Sequence, residues 1–347
     1  VREEEPETQM SDQPGAGRKA APTLKTIAEL TGLGVTTVSR ALKNGPELKG
    51  ETIARVQRVA AEIGYRPNRA GVRLRTGKTH VISFILNQAD DMSDYARRLI
   101  MGISSELSGT GYHMLVIPQD MAEDEVAPVR YVLENAASDG IIITHTEPHD
   151  RRVALLQQHG FPFVSFGQTE AGGHPFFDYD NDDFAFRAAT EMLKRGRKRI
   201  AILLPPRRYS YSGHQLAGYM RALGPAGLEP MPLDDLTLFS APPLMRDYAR
   251  RIATLPERPD GIICGSEGQA MGLMLGLQQA GLRIGEDIDL ASKKTTPLLD
   301  LVNAPMLRYF EDLEYAGRTL AGIMLRQLAG EVHAPETVLA INDRVPE

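Results

Sequence analysis

Thr36, Arg40 and Lys43 are spaced four and three residues apart, so on a helix they form one polar stripe. Arginine can hydrogen-bond guanine O6 and N7 in a bidentate way, threonine suits thymine methyls or phosphates, and lysine suits phosphates. The stripe is therefore chemically fit for a DNA major groove. Such a stripe needs a platform, and residues 23–43, TLKTIAELTGLGVTTVSRALK, have the plan of a helix-turn-helix. Thr23 is the candidate N-cap of a helix through Ile27, Ala28 and Leu30. Gly32-Leu33-Gly34 breaks that helix with two residues that tolerate unusual backbone angles. On the second helix Val35, Val38 and Leu42 form the apolar stripe, and a third helix, with Ile53, Val56, Ala60 and Ile63 on one face, covers the pair. Two amphipathic helices also occur in proteins without any nucleic-acid role. The basic segment RAGVRLRTGK (69–78) weighs toward DNA.

A second set of polar residues follows short apolar runs. After VISFIL (81–86) come Asn87, Gln88, Asp90, Asp91, Ser93 and Tyr95; after GIIIT (140–144) come His145 and Glu147; after DGIICG (260–265) come Ser266 and Glu267. Carboxylates, amides and aromatic faces in one cleft suit a sugar, whose hydroxyls need donors and acceptors while its C–H face stacks on a ring. The bland alternative is that loops after strands are polar anyway, which accounts for part of the set. The elements that position these residues are strands alternating with helices: the runs above with YHMLVIP (112–118) and FPFVSF (161–166), then a second series with RIAILL (199–204) and DIDLAS (287–292). This pattern predicts two α/β lobes with parallel sheets, and a ligand site in the cleft beyond the strands' carboxyl ends.

Other chemistries find no support. No Gly-rich dinucleotide fingerprint follows a strand, no phosphate-binding loop motif appears, and the eight histidines show no metal-ligand spacing. Asp90-Asp91 and Asp182-Asp183 read as solvated loop carboxylates rather than acid–base pairs, so neither an enzyme, a cofactor nor a metal is expected. The single cysteine, Cys264, excludes an internal disulfide and reads as a small buried strand residue. A hydrophobic content of 42% over 347 residues suits two or three compact units. The apolar runs are strand-sized and the N-terminus lacks a signal-peptide core, so the chain is expected to stay in the cytoplasm. Residues 1–22 are expected to be a disordered tail. Charge is segregated: residues 18–78 carry thirteen basic and four acidic side chains, net +9, within a chain of net -6. Counterion release depends on such a local stripe rather than on the overall pI.

The phrases TLKTIAELTGLGVTTVSRAL (23–42), GYRPN (64–68) and LRTGKTHVISFIL (74–86) closely resemble the lactose-repressor (LacI/GalR) family of bacterial transcription regulators, in order and spacing over roughly residues 23–340. The resemblance implies an all-α helix-turn-helix headpiece (23–67), a hinge helix or linker (68–78) and an α/β effector and dimerisation domain (79–347). That last domain would hold two doubly wound parallel-sheet lobes like those of periplasmic binding proteins. It implies DNA contacts at Thr23, Leu24, Val35, Thr36, Thr37, Ser39, Arg40 and Lys43, and at Asn68, Arg69 and Leu74 of a hinge that is disordered until DNA is present. Leu74 matches a leucine that wedges between central base pairs.

Effector contacts in the family match Asn87 to Asp91, Tyr95, Tyr179, Asp180, Gln215, Ser266, Glu267 and the segment Ser292-Lys293-Lys294. Several positions depart from the family pattern. Gln215 stands for an arginine, Ser266-Glu267 for Asn-Asp, the two lysines for an aromatic-aspartate phrase, and Gly34 for a serine before the recognition helix. The ligand read from this is sucrose or another α-glucoside, with a sugar phosphate at Lys293 or Lys294 as runner-up. The assembly implied is a homodimer on pseudo-palindromic operator DNA, since VLAINDRVPE carries no C-terminal heptad. The alternative reading is a sugar receptor of periplasmic type without a DNA role.

Overall fold

The computed structural model describes residues 22–66, 69–87, 94–120, 124–302, 304–331 and 334–345. Of the residues singled out from sequence, the tail through residue 21, Asn68, Gln88, Asp90, Asp91 and Ser93 lie outside them. The chain divides into two compact units at Lys78/Thr79.

In the first unit α1 (Leu24–Thr31), α2 (Val35–Ala41) and α3 (Gly50–Glu62) enclose a core of Ile27, Val38, Ala41, Val56 and Ala60. Thr23 caps α1 in a reciprocal box with Thr26, its Oγ1 accepting from the Thr26 amide at 3.4 Å while Thr26 Oγ1 accepts from the Thr23 amide at 3.2 Å. Gly32 ends α1 in the left-handed region at φ 67°, where a side chain would be strained. Gly34 does not need its freedom: its φ of -67° and ψ of 146° are open to any residue. The expected apolar stripe on α2 also changes. Val38 and Ala41 face the core and Leu42, the C-cap, also packs against it, whereas Val35 is exposed. Arg69–Thr76 forms α4, the hinge helix expected in this segment. Arginine, alanine and leucine have helix propensity enough to outweigh Gly71.

Among the described residues the second unit contains two six-stranded sheets. The first lobe is built from β1 (Val81–Asn87), α5 (Asp94–Leu107), β2 (His113–Gln119), α6 (Ala127–Asn135), β3 (Gly140–Ile143), α7 (Arg151–Gln158), β4 (Phe163–Phe166) and β5 (Phe176–Tyr179). The second runs through α8 (Asn181–Lys194), β6 (Ile200–Leu203), α9 (Ser210–Leu223), β7 (Met231–Pro232), α10 (Pro242–Ala253), β8 (Gly261–Cys264), α11 (Glu267–Gln279), β9 (Asp289–Lys294) and β10 (Leu307–Phe310). The chain then returns: α12 (Leu313–Ala329) and β11 (Thr337–Ala340) complete the first lobe, and β12 (Asp343–Val345) completes the second. The sheet orders are β11-β5-β4-β3-β1-β2 and β12-β10-β9-β8-β6-β7, parallel except for the β10–β12 pair.

Strands such as GIII and GIIC are buried along their whole length because helices cover both faces, which is why they read as continuous apolar runs. In the first lobe α5 and α12 approach so closely that a Cβ on Gly102 would run into the Glu314 carbonyl oxygen. The chain crosses between lobes at Asp180, at Glu311-Asp312 and at Ile341-Asn342. These crossings are tied together: the Asp180 amide donates to the Ala340 carbonyl at 2.7 Å, and Asn342 Nδ2 to the Phe310 carbonyl at 3.3 Å.

Candidate functional sites: an exposed helix face and an interlobe pocket

In the first unit α2 presents Val35, Thr36 and Arg40 to solvent, with Thr37 and Ser39 half-buried at its flanks. Thr36 and Arg40 share a face, but Lys43 lies beyond the end of the helix in the following turn, exposed, so the stripe is shorter than its spacing implies. Arg40 stands 3.4 Å from Glu47, an ion pair with both partners largely in water. Thr23 is exposed at the start of α1, and Leu24 beside it is half-buried, with part of its side chain packed on the headpiece core. The neighbouring turn is held by Gln57, whose Nε2 donates to Asn44 Oδ1 at 2.8 Å. On α4 the apolar side chain of Leu74 is 90% exposed; Arg69 begins that helix.

In the second unit a cavity of about 250 Å³ lies between the lobes at the carboxyl ends of the strands. From the first lobe Tyr95, His145, Phe166 and Asp178 line it; from the second come Asn181, Gln215, Phe239, Ser266, Glu267, Gln269 and Lys293, and Glu311 enters from a crossing. Tyr95 stacks on Phe166 with ring centroids 5.9 Å apart, and His145 meets Tyr209, Tyr211 and Phe239 at 5.4, 6.2 and 5.7 Å. This aromatic group spans the cleft. The backbone joins the lobes here too, as the Ser210 amide donates to the Thr146 carbonyl at 2.9 Å.

His145 has a left-handed backbone, φ 54°, a strain opposed by buried Arg152, whose Nη2 donates to the Thr144 and His145 carbonyls at 3.1 and 3.0 Å. Asp150 pairs with the same guanidinium at 2.7 Å. Burial, aided by Arg152 and Arg208, holds the His145 imidazole down at about 3, so the ring is neutral near pH 7.

The pocket's polar floor gathers around Asn181. Its Oδ1 accepts from Gln215 Nε2 and from Lys293 Nζ, each at 2.9 Å, and Lys293 also donates to Glu311 Oε1 at 2.9 Å. Asp178 accepts from Gln168 Nε2 at 3.2 Å and from Asn181 Nδ2 at 3.4 Å. Burial pushes the Asp178 carboxyl up to about 7, with the neighbouring Glu311 adding to the effect and Lys293 opposing it.

Of the residues expected here, Tyr95, His145, Gln215, Ser266, Glu267 and Lys293 are brought together. Tyr179 is not: it points into the first-lobe core and its hydroxyl donates to the Asp312 carbonyl at 3.0 Å. Asp180 caps α8, accepting from the Asp183 amide at 2.8 Å, and Asn87 is buried at the end of β1 and is not among the residues lining the cavity. Glu267 lines the cavity, yet both its oxygens are held by Thr295 and Thr296 through their amides and hydroxyls at 2.8–3.2 Å. Its first task is to fix that loop. Lys294 turns away and pairs with Asp300 at 2.5 Å. Asp178, Asn181, Gln269 and Glu311 were missed. The alternation of FDYDN puts Asp178 and Tyr179 on opposite faces, but which face meets the ligand is settled only by the fold. Cys264 is buried, its thiol pushed up to about 12, and is inert.

Among the described residues no group of His, Cys, Asp or Glu is arranged to hold a metal ion, and no helix is long and apolar enough to cross a membrane. Residues 23–68 match the bacterial regulatory proteins of the lacI family, and residues 79–312 match the periplasmic binding proteins and sugar-binding domain of the LacI family. The chain is 34% identical over 326 residues to the HTH-type transcriptional regulator AglR of Rhizobium meliloti (strain 1021), covering 91% of this chain and 90% of that protein. In structure it is similar to the lac repressor dimer bound to operator and the anti-inducer ONPF, with TM-score 0.80, 18% identity, 94% of this chain and 98% of that one. It is also similar to the transcriptional regulator CelR–cellobiose complex, with TM-score 0.67, 22% identity and the same coverage of 94% and 98%. The matched relatives are transcriptional regulators rather than enzymes.

Proposed function

Because the chain belongs to the LacI family of bacterial regulatory proteins, we propose that it is a cytoplasmic, operator-binding repressor whose grip on DNA is set by one neutral sugar held between its lobes. The observation that carries this reading is the pairing, in one chain, of an exposed Thr36–Arg40 face with an enclosed pocket that is aromatic on its walls and polar on its floor. The net +9 of residues 18–78 supports the DNA side. A homodimer would present two headpieces to a two-fold symmetric site, reading base edges with Thr36 and Arg40 and the minor groove with Leu74.

On the ligand side, about 250 Å³ falls just below the ~300–1,000 Å³ common for small-molecule sites, which points to a small ligand such as a mono- or disaccharide. The solved CelR complex holds cellobiose. For the present chain the candidate carried from the sequence is an α-glucoside such as sucrose. A sugar phosphate is not, since Lys293 is already matched by Glu311 and Asp178 adds a further carboxyl. Sugar that prefers one lobe arrangement shifts operator affinity by its differential affinity for the two states, and DNA must weaken sugar binding by the same factor.

The test is retention of a labelled promoter fragment from the neighbouring genes, alone and with sucrose, maltose, trehalose, cellobiose or glucose 6-phosphate. Retention that a neutral sugar reverses is the expected result. No retention, or release by the phosphate alone, would overturn the reading.

A further inference from the structure

The polar groups of the pocket divide into those already committed and those with capacity left. Glu267 accepts four hydrogen bonds from Thr295 and Thr296. Asn181 accepts two and donates two. Lys293 is occupied by Asn181 and Glu311. Glu267 and Asn181 cannot turn to a ligand without breaking one of these bonds, and Lys293, with one N–H left over, can offer a ligand a donor but no acceptor.

Two groups stand apart. Asp178, at the end of β5, is 4% exposed, takes side-chain amide donors at the long distances of 3.2 and 3.4 Å, and forms no ion pair among the described residues. Gln269, in the first turn of α11, is 8% exposed; its Nε2 donates to the Ser240 carbonyl at 3.2 Å, while its Oε1 is buried without a partner among the described residues. A buried acceptor left unmatched is costly, and a buried carboxyl whose amide donors are long keeps acceptor capacity for a ligand. Both line the same cavity, one from each lobe.

Resting on the sugar-pocket reading above, we propose that Asp178 and Gln269 are the specificity-determining clamps of this site. Each accepts hydrogen bonds from hydroxyls of a neutral sugar, so that the ligand donates to both lobes at once. Two acceptors lining one cavity select for hydroxyl donors and against phosphate or carboxylate at those positions. The rings of Tyr95, Phe166, Tyr211 and Phe239 then cover the ligand's C–H faces. Neither clamp belongs to the set that spacing or resemblance brings forward.

The experiment is calorimetric titration of the full-length protein with sucrose, maltose, trehalose and cellobiose. Asp178→Asn and Gln269→Met are then titrated with whichever sugar binds, alongside monodeoxy forms of that sugar. Each variant is expected to lose about 10- to 100-fold in sugar affinity, as for a hydrogen bond removed from a buried site, with operator binding in the absence of sugar unchanged. The deoxy sugar lacking the bonded hydroxyl should bind wild type equally weakly and lose nothing further in the matching variant. Variants that bind sugar within threefold of wild type would overturn the inference while leaving the pocket reading intact. Wild type that binds no sugar would overturn the pocket reading itself. Should a variant not fold, the deoxy series on wild type decides: no deoxy position costing tenfold would sink the clamps.

Discussion

Replacing Asp178 by asparagine removes the one pocket carboxyl that burial holds up to about 7 against an ordinary 3.8. That gap corresponds to about 4 kcal/mol of penalty on the charged form, an order-of-magnitude figure. Between about pH 4 and 7 the folded chain keeps a proton that the unfolded chain has released. Stability from this group therefore falls as pH rises through that window and levels off above it. Roughly 2–3 kcal/mol of the fall lies between about pH 5 and 8. An asparagine at this position cannot ionise, so the variant should melt progressively higher than wild type as pH increases. The gap between them should widen by about 5–10 °C over that range, at about 2–4 °C per kcal/mol for a domain of this size. Melting followed by circular dichroism in a pH series of both proteins reads this directly. Glu311 and Lys293 face Asp178, and His145, His174 and His214 are also displaced downward; all five are common to both proteins and largely cancel in the difference. A difference in melting temperature that stays constant, or that grows toward acid, would refute the reasoning.

Arg40→Ala should leave the headpiece's melting nearly unchanged, because an exposed pair such as Arg40–Glu47 is worth about 0–1 kcal/mol. Operator affinity measured by fluorescence anisotropy should nevertheless drop by about 1–3 kcal/mol, with relaxed preference at one base pair per half-site; equal loss on every sequence would reduce Arg40 to a phosphate contact. Glu47→Gln, by freeing Arg40, should strengthen operator binding. Leu74→Ala should weaken operator binding and lessen DNA bending in a circular-permutation gel shift without altering stability, since the side chain is almost wholly exposed. An unchanged bend would end the wedge role. Gly102→Ala should destabilise the first lobe by about 1–3 kcal/mol in urea denaturation, because the added methyl must push α12 off α5.

The strands were legible where both faces are covered: VISFIL, GIII and GIIC announce themselves because nothing in them needs water. Those that went unread lie in short or mixed segments. β7 has two residues, β12 has three, and β5 and β10 each carry one charged residue among four. The headpiece was readable from capping and spacing, yet the end of α2 one residue short of Leu42 removed Lys43 from its stripe. Within the pocket, spacing finds residues that follow strands, which is how Tyr95, His145 and Ser266 surfaced. It does not find Glu311, which meets Lys293 only because a crossing returns there, nor the commitment of Glu267 to threonines 28 and 29 positions away.

The return of the chain to its first lobe has a consequence for synthesis. The helix that covers Leu99 and Ile103, α12, leaves the ribosome about 150 residues after β5, once the second lobe has been made. At about 5–20 residues per second that is a wait of roughly 10–30 s, during which an apolar helix face and an unpaired sheet edge stand open. The length of the second lobe thus sets how long the first must be shielded. A chain released before residue 313 would end with neither sheet complete and the hydrophobic face of α5 still bare.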